Sequence, residues 1–124
     1  RSAKEQDYDA IILGTFHTIR NDTGDHVKAD RVIQWSSQNS PLPLFCFWET
    51  AVGPEKAIGG YVISGEEQGI EAAKIALKIF EGKSPQTINP KIAEQGEYMF
   101  STKQLQKWKI SLPSSITKRT TFTD

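Results

Sequence analysis

The sequence predicts an α/β fold, a three-layer lobe built around a parallel sheet. Two continuous apolar runs, residues 8–14 and 43–47, have the composition of strands buried on both faces, which is typical of parallel sheets. Strand and helix signals alternate along the chain, as they do in α/β folds. With 124 residues the chain can form one domain with its own core, or part of a larger one.

The first half of the chain predicts two strands with a helix between them. Residues 8–14 give the first strand and residues 44–47 the second. Apolar residues at helical spacing predict an amphipathic helix over residues 27–37, with Asp25 as its N-cap. The polar residues 15–25 have no periodicity and predict a long loop before this helix.

The second half opens with a third strand, predicted over residues 57–64. The strongest helix signal follows over residues 66–80, where apolar residues recur at three- and four-residue spacing. Acidic residues in its first turn and Gly82 beyond its end are typical of helix termini. Two brief strand signals come next, at residues 86–88 and 97–100.

The C-terminal part predicts one more helix and then a tail. Ser101 and Gln104 form a capping-box pattern that opens a short helix ending near Trp108. Residues 114–124 are polar and rich in threonine, which predicts an extended or flexible connection. We therefore divide the chain into a domain, residues 1–113, and a polar tail or connection, residues 114–124.

Composition argues against several classes of function. Fifteen basic and fifteen acidic residues give zero formal net charge, so nucleic acid is not expected as a partner. The single cysteine, Cys46, has apolar neighbours and is predicted to be a buried small hydrophobe. His17 and His26 lack the surrounding cysteines or carboxylates of a zinc site, so no metal and no cofactor are predicted.

No catalytic motif stands out in the sequence. The chain has no Gly-x-Ser-x-Gly elbow, and its glycine pairs do not have the spacing of a dinucleotide or phosphate loop. We therefore predict that the protein is not an enzyme.

Side chains suited to ligand binding follow three of the predicted strands. They are Phe16 and His17, Trp48 and Glu49, and Ser64. Because the carboxyl ends of parallel strands share one edge of a sheet, these residues are predicted to converge on a cleft. Aromatic rings could stack on a ligand, and the polar groups could bind it by hydrogen bonds or charge. Equally, the aromatic rings could merely cover the sheet edge, with Glu49 paired to a lysine.

Several segments together resemble the C-terminal part of type I periplasmic substrate-binding proteins. The similarity covers roughly residues 8–116 and is closest to the ABC-transporter binding-protein-like family, which also occurs as extracytoplasmic sensor domains of histidine kinases and diguanylate cyclases. The segments that carry it are Pro43 to Glu49, Gly59-Gly60, Ser64-Gly65, Glu67 to Gly69, Ala72-Ala73, Ile79 to Lys83, Met99-Phe100, Gln104-Leu105 and Ile110 to Pro113.

The resemblance implies a two-lobed, non-catalytic receptor that closes over a small molecule, in a periplasmic or extracytoplasmic location. It places Phe16, His17, Trp48, Glu49 and Ser64 at the ligand cleft. It also implies that the chain crosses a hinge near Ser64, so that the helix over residues 66–80 belongs to the other lobe. The expected partners are a small-molecule ligand and either a membrane transporter or a signalling module.

One departure from the family pattern leaves alternatives open. The N-terminal lobe core and the opening part of the second lobe have no counterpart in this sequence. The chain therefore either assembles with a partner, for instance as a homo-oligomer that exchanges elements, or folds as a compact three-layer half. A flavodoxin-like regulatory domain and a half-domain that serves oligomerisation are the alternative functions.

Overall fold

A computed structural model describes residues 7–91 and 96–124, so residues 1–6 and 92–95 of the predicted domain lie outside it. A five-stranded sheet runs through the described part, in the spatial order β1-β2-β3-β4-β5. Its strands are β1 (Ile11–Leu13), β2 (Leu44–Cys46), β3 (Gly59–Val62), β4 (Glu97–Phe100) and β5 (Thr120–Phe122). The α-helices are α1 (Ala29–Asn39), α2 (Gly65–Phe80), α3 (Thr102–Trp108) and α4 (Ser114–Thr117).

The sheet is mostly parallel, which confirms the predicted α/β class. Strands β1, β2 and β3 run parallel to one another, and β5 runs parallel to β4. Only the β3–β4 pair is antiparallel, with Val62 opposite Glu97. The carboxyl ends of β1, β2 and β3 therefore lie at one edge of the sheet, and this is the edge that the sequence predicts for the cleft.

Helices cover both faces of the sheet. Successive side chains of a strand point to opposite faces of the sheet, so the contacts of β2 show what packs on each face. Leu44 and Cys46 pack with Ile33 of α1 in one core cluster. Phe45, between them in sequence, packs against the cluster formed by the end of β4 and by α3, around Leu105. The lobe therefore has three layers, with α1 on one side and α3 on the other.

Helix α2 confirms the strongest sequence signal. The hydroxyl of Ser64 accepts a hydrogen bond from the Glu67 N–H, so Ser64 is the N-cap, and Glu66 and Glu67 occupy the first turn. However, no residue of α2, all of which the structure describes, is buried. Its apolar side chains Leu77 and Phe80 are 59% and 85% exposed. Local propensity and capping form this helix, without burial of an apolar face.

Helix α1 begins later than predicted, and Asp25 is not its cap. The N-cap is Lys28, which makes no side-chain capping hydrogen bond. Instead, the Asp25 carboxylate accepts a hydrogen bond from the Thr23 hydroxyl at 2.7 Å. A short hairpin that pairs Arg20 with His26 holds Asp25 in its turn, too early in the chain to cap α1.

Strand β1 is less buried than its apolar sequence predicts. It is an edge strand, paired only with β2 among the described strands. Ile12 is 65% exposed, whereas Ile11 and Leu13 on the other face are half-buried. An apolar run indicates a strand suited to burial on both faces, but the neighbours decide whether that burial occurs.

Two further predictions for the C-terminal half differ from the structure. The strand expected at residues 86–88 is wrong, because Pro85–Thr87 forms a 3₁₀ turn with the proline at its start. The strand at residues 97–100 is confirmed as β4. Residues 114–124 were expected to form an extended connection, but they contain α4 and β5, and β5 adds to the sheet beside β4. β-branched threonines in β5 suit a strand.

Candidate functional site

The ends of β1, β2 and β3 meet around Trp48. This residue follows β2 and forms an isolated parallel bridge with Ile63, just beyond β3. Its indole Nε1–H donates a hydrogen bond to the carbonyl oxygen of Gly14, just beyond β1, at 3.2 Å. Trp48 is half-buried and therefore links the three strand ends while keeping part of its ring accessible.

His17 stands against the Trp48 ring. The two ring centroids are 6.0 Å apart with an interplanar angle of 86°, an edge-to-face arrangement. The carbonyl oxygen of His17 accepts a hydrogen bond from Nε2 of His26 at 2.7 Å, which fixes the backbone of this loop. His17 is exposed, so its imidazole is available to a ligand as a hydrogen-bonding group.

Phe16 supports the site from beneath. It is 6% exposed and belongs to the core cluster that contains Ile33 and Val62. Its ring stacks on His17 with centroids 4.4 Å apart and an interplanar angle of 24°. Phe16 therefore supports the His17 ring at the edge of the sheet, and little of its own surface is accessible to a ligand.

Glu49 carries the negative charge of the site. It begins the 3₁₀ turn Glu49–Ala51 after β2 and is half-buried. Its Oε1 lies 3.1 Å from the position that a Cβ on Gly65 would take. The N-terminus of α2, where Gly65 is the first residue, is a favourable place for a carboxylate. The ion pairs of the described residues use Asp30 and Glu71, so Glu49 is not paired with a lysine there.

Ser64 lies at the same edge of the sheet, where its side chain caps the N-terminus of α2. It is 8% exposed, and its hydroxyl accepts the capping hydrogen bond from the Glu67 N–H at 3.4 Å. A hydroxyl has a second lone pair and one donor, so a ligand contact is compatible with the cap. Ser64 thus lies where β3 passes into α2.

Comparison with known protein families assigns the chain to one of them. The family model described as ABC transporter substrate binding protein matches residues 3–123, nearly the whole chain. The chain belongs to this family. No curated protein and no solved structure matched it. The match confirms the resemblance found in the sequence and identifies the five-stranded lobe as a periplasmic-binding-protein-like lobe.

ABC transporter substrate-binding proteins take up a small molecule and have a transporter as their partner, and they are typically non-catalytic and extracytoplasmic. Within residues 7–91 and 96–124, none of the helices is long and apolar enough to cross a bilayer.

Cys46 has a structural place in this substrate-binding lobe. It is 3% exposed, and its sulfur lies 3.5 Å from the Trp48 carbonyl oxygen. Burial raises the pKa of the Cys46 thiol above its ordinary value. A neutral, buried thiol is a poor nucleophile, as expected for a residue that packs beneath the site.

Three further residues shape the corner and were not singled out from the sequence. Gly14 supplies the carbonyl that holds Trp48, Gly65 lets the Glu49 carboxylate approach α2, and His26 fixes the backbone of His17. The glycines carry a signal, because each stands at the end of a strand or the start of a helix. His26 carries none, since its role depends on the pairing of the hairpin.

Proposed function

We propose that this chain is the C-terminal, ligand-binding part of an extracytoplasmic solute-binding protein, and that it binds a small molecule without catalysis. The observation that carries the proposal is the convergence of His17, Trp48 and Glu49 where the parallel strands β1 and β2 end. In open α/β sheets ligands bind at this edge. The family match supports solute binding over the flavodoxin-like alternative.

The site chemistry favours a ligand with a flat or apolar body and a positively charged or hydrogen-bond-donating group. Trp48 offers a partly accessible indole whose own N–H is already bonded to Gly14. It therefore contributes an aromatic face, which attracts cations as well as apolar groups. Glu49 offers a carboxylate with no lysine partner among the described residues.

We propose that α2 belongs to a second lobe and that Ser64 lies at the hinge. The lack of any fully buried residue in α2 supports this, because the exposed part of its apolar stripe needs a partner surface. Ligand binding would then favour the closed arrangement of the two lobes. A transporter would recognise that arrangement, and coupling to a membrane signalling module stays a prediction.

A metabolite screen with paired carboxylate variants tests the proposal. Thermal shift of this chain identifies ligands, and isothermal titration then measures the affinity of the best one. We expect Glu49→Gln to weaken binding at least about tenfold, the loss of one charge-assisted hydrogen bond. Glu55→Gln is the matched control, because Glu55 is an exposed carboxylate away from the strand ends.

Trp48 is tested in the same titration. Trp48→Phe keeps an aromatic face and should retain most of the affinity, whereas Trp48→Ala should lose it. If a ligand binds Glu49→Gln and Trp48→Ala as tightly as the unaltered chain, the site lies elsewhere. If no ligand of any class binds, the half-domain that serves oligomerisation becomes the better account, and sedimentation should then show a dimer.

A further inference from the structure

A second cleft lies between α1 and the hairpin loop that precedes it. Its volume is about 530 Å³, within the range of small-molecule sites. None of its lining residues belongs to the site at the strand ends. They are Ile19, Asn21, Val27, Arg31, Val32, Trp35 and Ser36.

The hairpin wall of this cleft is held by its own hydrogen bonds. The Val27 N–H donates to the Ile19 carbonyl oxygen at 2.9 Å, which sets these two apolar side chains beside each other. At the tip, the Asn21 side-chain oxygen accepts hydrogen bonds from the Thr23 N–H and the Asp25 N–H. The wall is therefore formed before any ligand arrives, which lowers the entropic cost of binding.

The cleft continues along α1 towards the start of β1. A smaller cavity of about 220 Å³ shares Trp35 and Ser36 with it and is also lined by Ile11, Leu13 and Leu44. Trp35, at the junction, is 66% exposed. Because the two cavities share Trp35 and Ser36, they adjoin, and together they form a mainly apolar trough with the exposed Trp35 side chain at the junction.

One end of the trough carries a positive charge. Arg31 lines the larger cavity, no carboxylate lines either one, and within the described residues Arg31 takes part in no ion pair. The Asn21 oxygen already accepts two backbone hydrogen bonds, so its amide N–H groups are what this side chain can offer. A charged donor at one end of an apolar trough complements an amphipathic anion.

We propose that this trough binds a medium-chain alkyl carboxylate. The carboxylate would pair with Arg31 at the hairpin end, and the hydrocarbon chain would lie across Trp35 towards Ile11 and Leu13. The site is separate from the one proposed for the transported solute, and its existence does not depend on that function.

Titration of the isotope-labelled chain with octanoate tests the proposal. We expect a saturable shift of the Trp35 indole N–H signal in the ¹H–¹⁵N spectrum. Butanoate should bind roughly tenfold more weakly or worse, because it lacks four methylenes that the apolar walls would cover. Octylammonium has the same chain with the opposite charge and should bind far more weakly than octanoate.

Two variants with the same change of charge isolate the role of Arg31. Arg31→Gln should weaken octanoate binding about tenfold or more, the loss of a charged hydrogen-bonded pair. Lys28→Gln, one turn earlier and outside the lining, should leave it unchanged. Both residues are exposed, so both variants should keep the spectrum of the folded chain.

Four results would overturn the proposal. They are octylammonium binding as tightly as octanoate, equal effects of the two variants, and the absence of a saturable shift at Trp35 up to the solubility limit. The fourth is a Trp35 signal that shifts with protein concentration in the absence of octanoate, since the trough would then be a contact between copies of the chain.

Discussion

Gly59 lies opposite Phe100 in the ladder between β3 and β4. Its φ of +131° is a conformation that side chains other than glycine rarely adopt. A Cβ at this position would collide with the Met99 carbonyl oxygen and lie 2.8 Å from the Phe100 Cα. These are backbone atoms of a paired strand, so they cannot move aside without breaking the ladder.

Replacing Gly59 with alanine should therefore be severely destabilising. We expect Gly59→Ala to lower the free energy of unfolding by about 3 kcal/mol or more, or to prevent folding. Gly69→Ala is the control, because Gly69 lies inside α2 with nothing within 4 Å of an added Cβ. That change should raise stability by about 0.5–1 kcal/mol. Urea unfolding followed by circular dichroism measures both, and equal effects would contradict the geometry.

Cys46 should make stability depend on pH in the alkaline range. Burial raises the pKa of its thiol in the folded state above the ordinary value of 9.0. Below pH 9 the thiol is neutral in both states and contributes no pH dependence. As pH rises through 9 towards the folded pKa, the unfolded chain loses the proton first, so the free energy of unfolding falls.

Urea unfolding of the unaltered chain and Cys46→Ala between pH 7 and pH 10.5 measures this effect. The difference in free energy of unfolding between the two proteins should shrink as pH rises above 9. A constant difference would mean that the thiol titrates alike in both states.

At the scale of single residues, the sequence predicts where a residue lies along a strand better than it predicts the residue's burial and contacts. Trp48 and Glu49 follow an apolar run directly, so their place at a strand end can be read from the sequence. The burial of Phe16 beneath His17 cannot, because it depends on the distant core residues Ile33 and Val62. Whether Glu49 meets a lysine or the start of α2 likewise depends on tertiary contacts.

Among the elements, α2 combines strong local signals with little tertiary support. Its N-cap is satisfied by Ser64, and Lys74 forms an ion pair with Glu71 one turn away. Exposed pairs of this kind contribute little. Since isolated helices of this length are marginal in water, α2 depends on its caps when no partner surface is present.

Native-state hydrogen exchange should show this weakness. We expect the amides in the middle of α2 to exchange through local opening, at a lower free energy than those of β3. Ser64→Ala should lower the free energy of this opening by about 1 kcal/mol, the usual effect of losing an N-cap. If α2 exchanges only with global unfolding, the helix has tertiary support that its exposure does not suggest.

The cap of α3 should contribute more clearly to the stability of the lobe. Ser101 is fully buried, and its hydroxyl accepts a hydrogen bond from the Gln104 N–H at 3.2 Å. Ser101→Ala should lower the free energy of unfolding by about 1 kcal/mol, the usual effect of losing an N-cap. Ser111→Ala, at an exposed loop position, should have almost no effect in the same denaturant experiment.

The sequence predicts elements with clear periodicity or caps, and it leaves strand direction open. The apolar spacing over residues 66–80 predicts α2 and the capping pattern at Ser101 predicts α3, because both signals are local. The antiparallel direction of β4 has no local signal, since a four-residue run reads alike in either direction. The pairing of β5 depends on the position of β4, so it could not be predicted from the sequence either.

At the scale of the whole molecule, the segment between β3 and β4 is a long excursion whose two ends lie next to each other in the sheet. Val62 and Glu97 are direct partners in the ladder, although α2 lies between them in sequence. Such neighbouring ends can be joined by a tight turn. The three-layer lobe should therefore be able to fold without the excursion.

Replacing residues 64–95 by Asn-Gly tests this. We expect the shortened chain to keep a cooperative unfolding transition, because α2 adds no residue to the core and a shorter loop costs less entropy to close. Near-ultraviolet circular dichroism and urea unfolding provide the measurement. A shortened chain without cooperative unfolding would show that the excursion is part of the core.

The β3–β4 ladder also limits how α2 can move. Ile63 directly follows Val62 and Gly96 directly precedes Glu97, so the two connections to the segment that contains α2 start side by side at paired residues. Two side-by-side segments bend readily across their common plane but resist sliding past each other, because sliding would break the register. Any displacement of α2 relative to the lobe should therefore be a swing about a single axis.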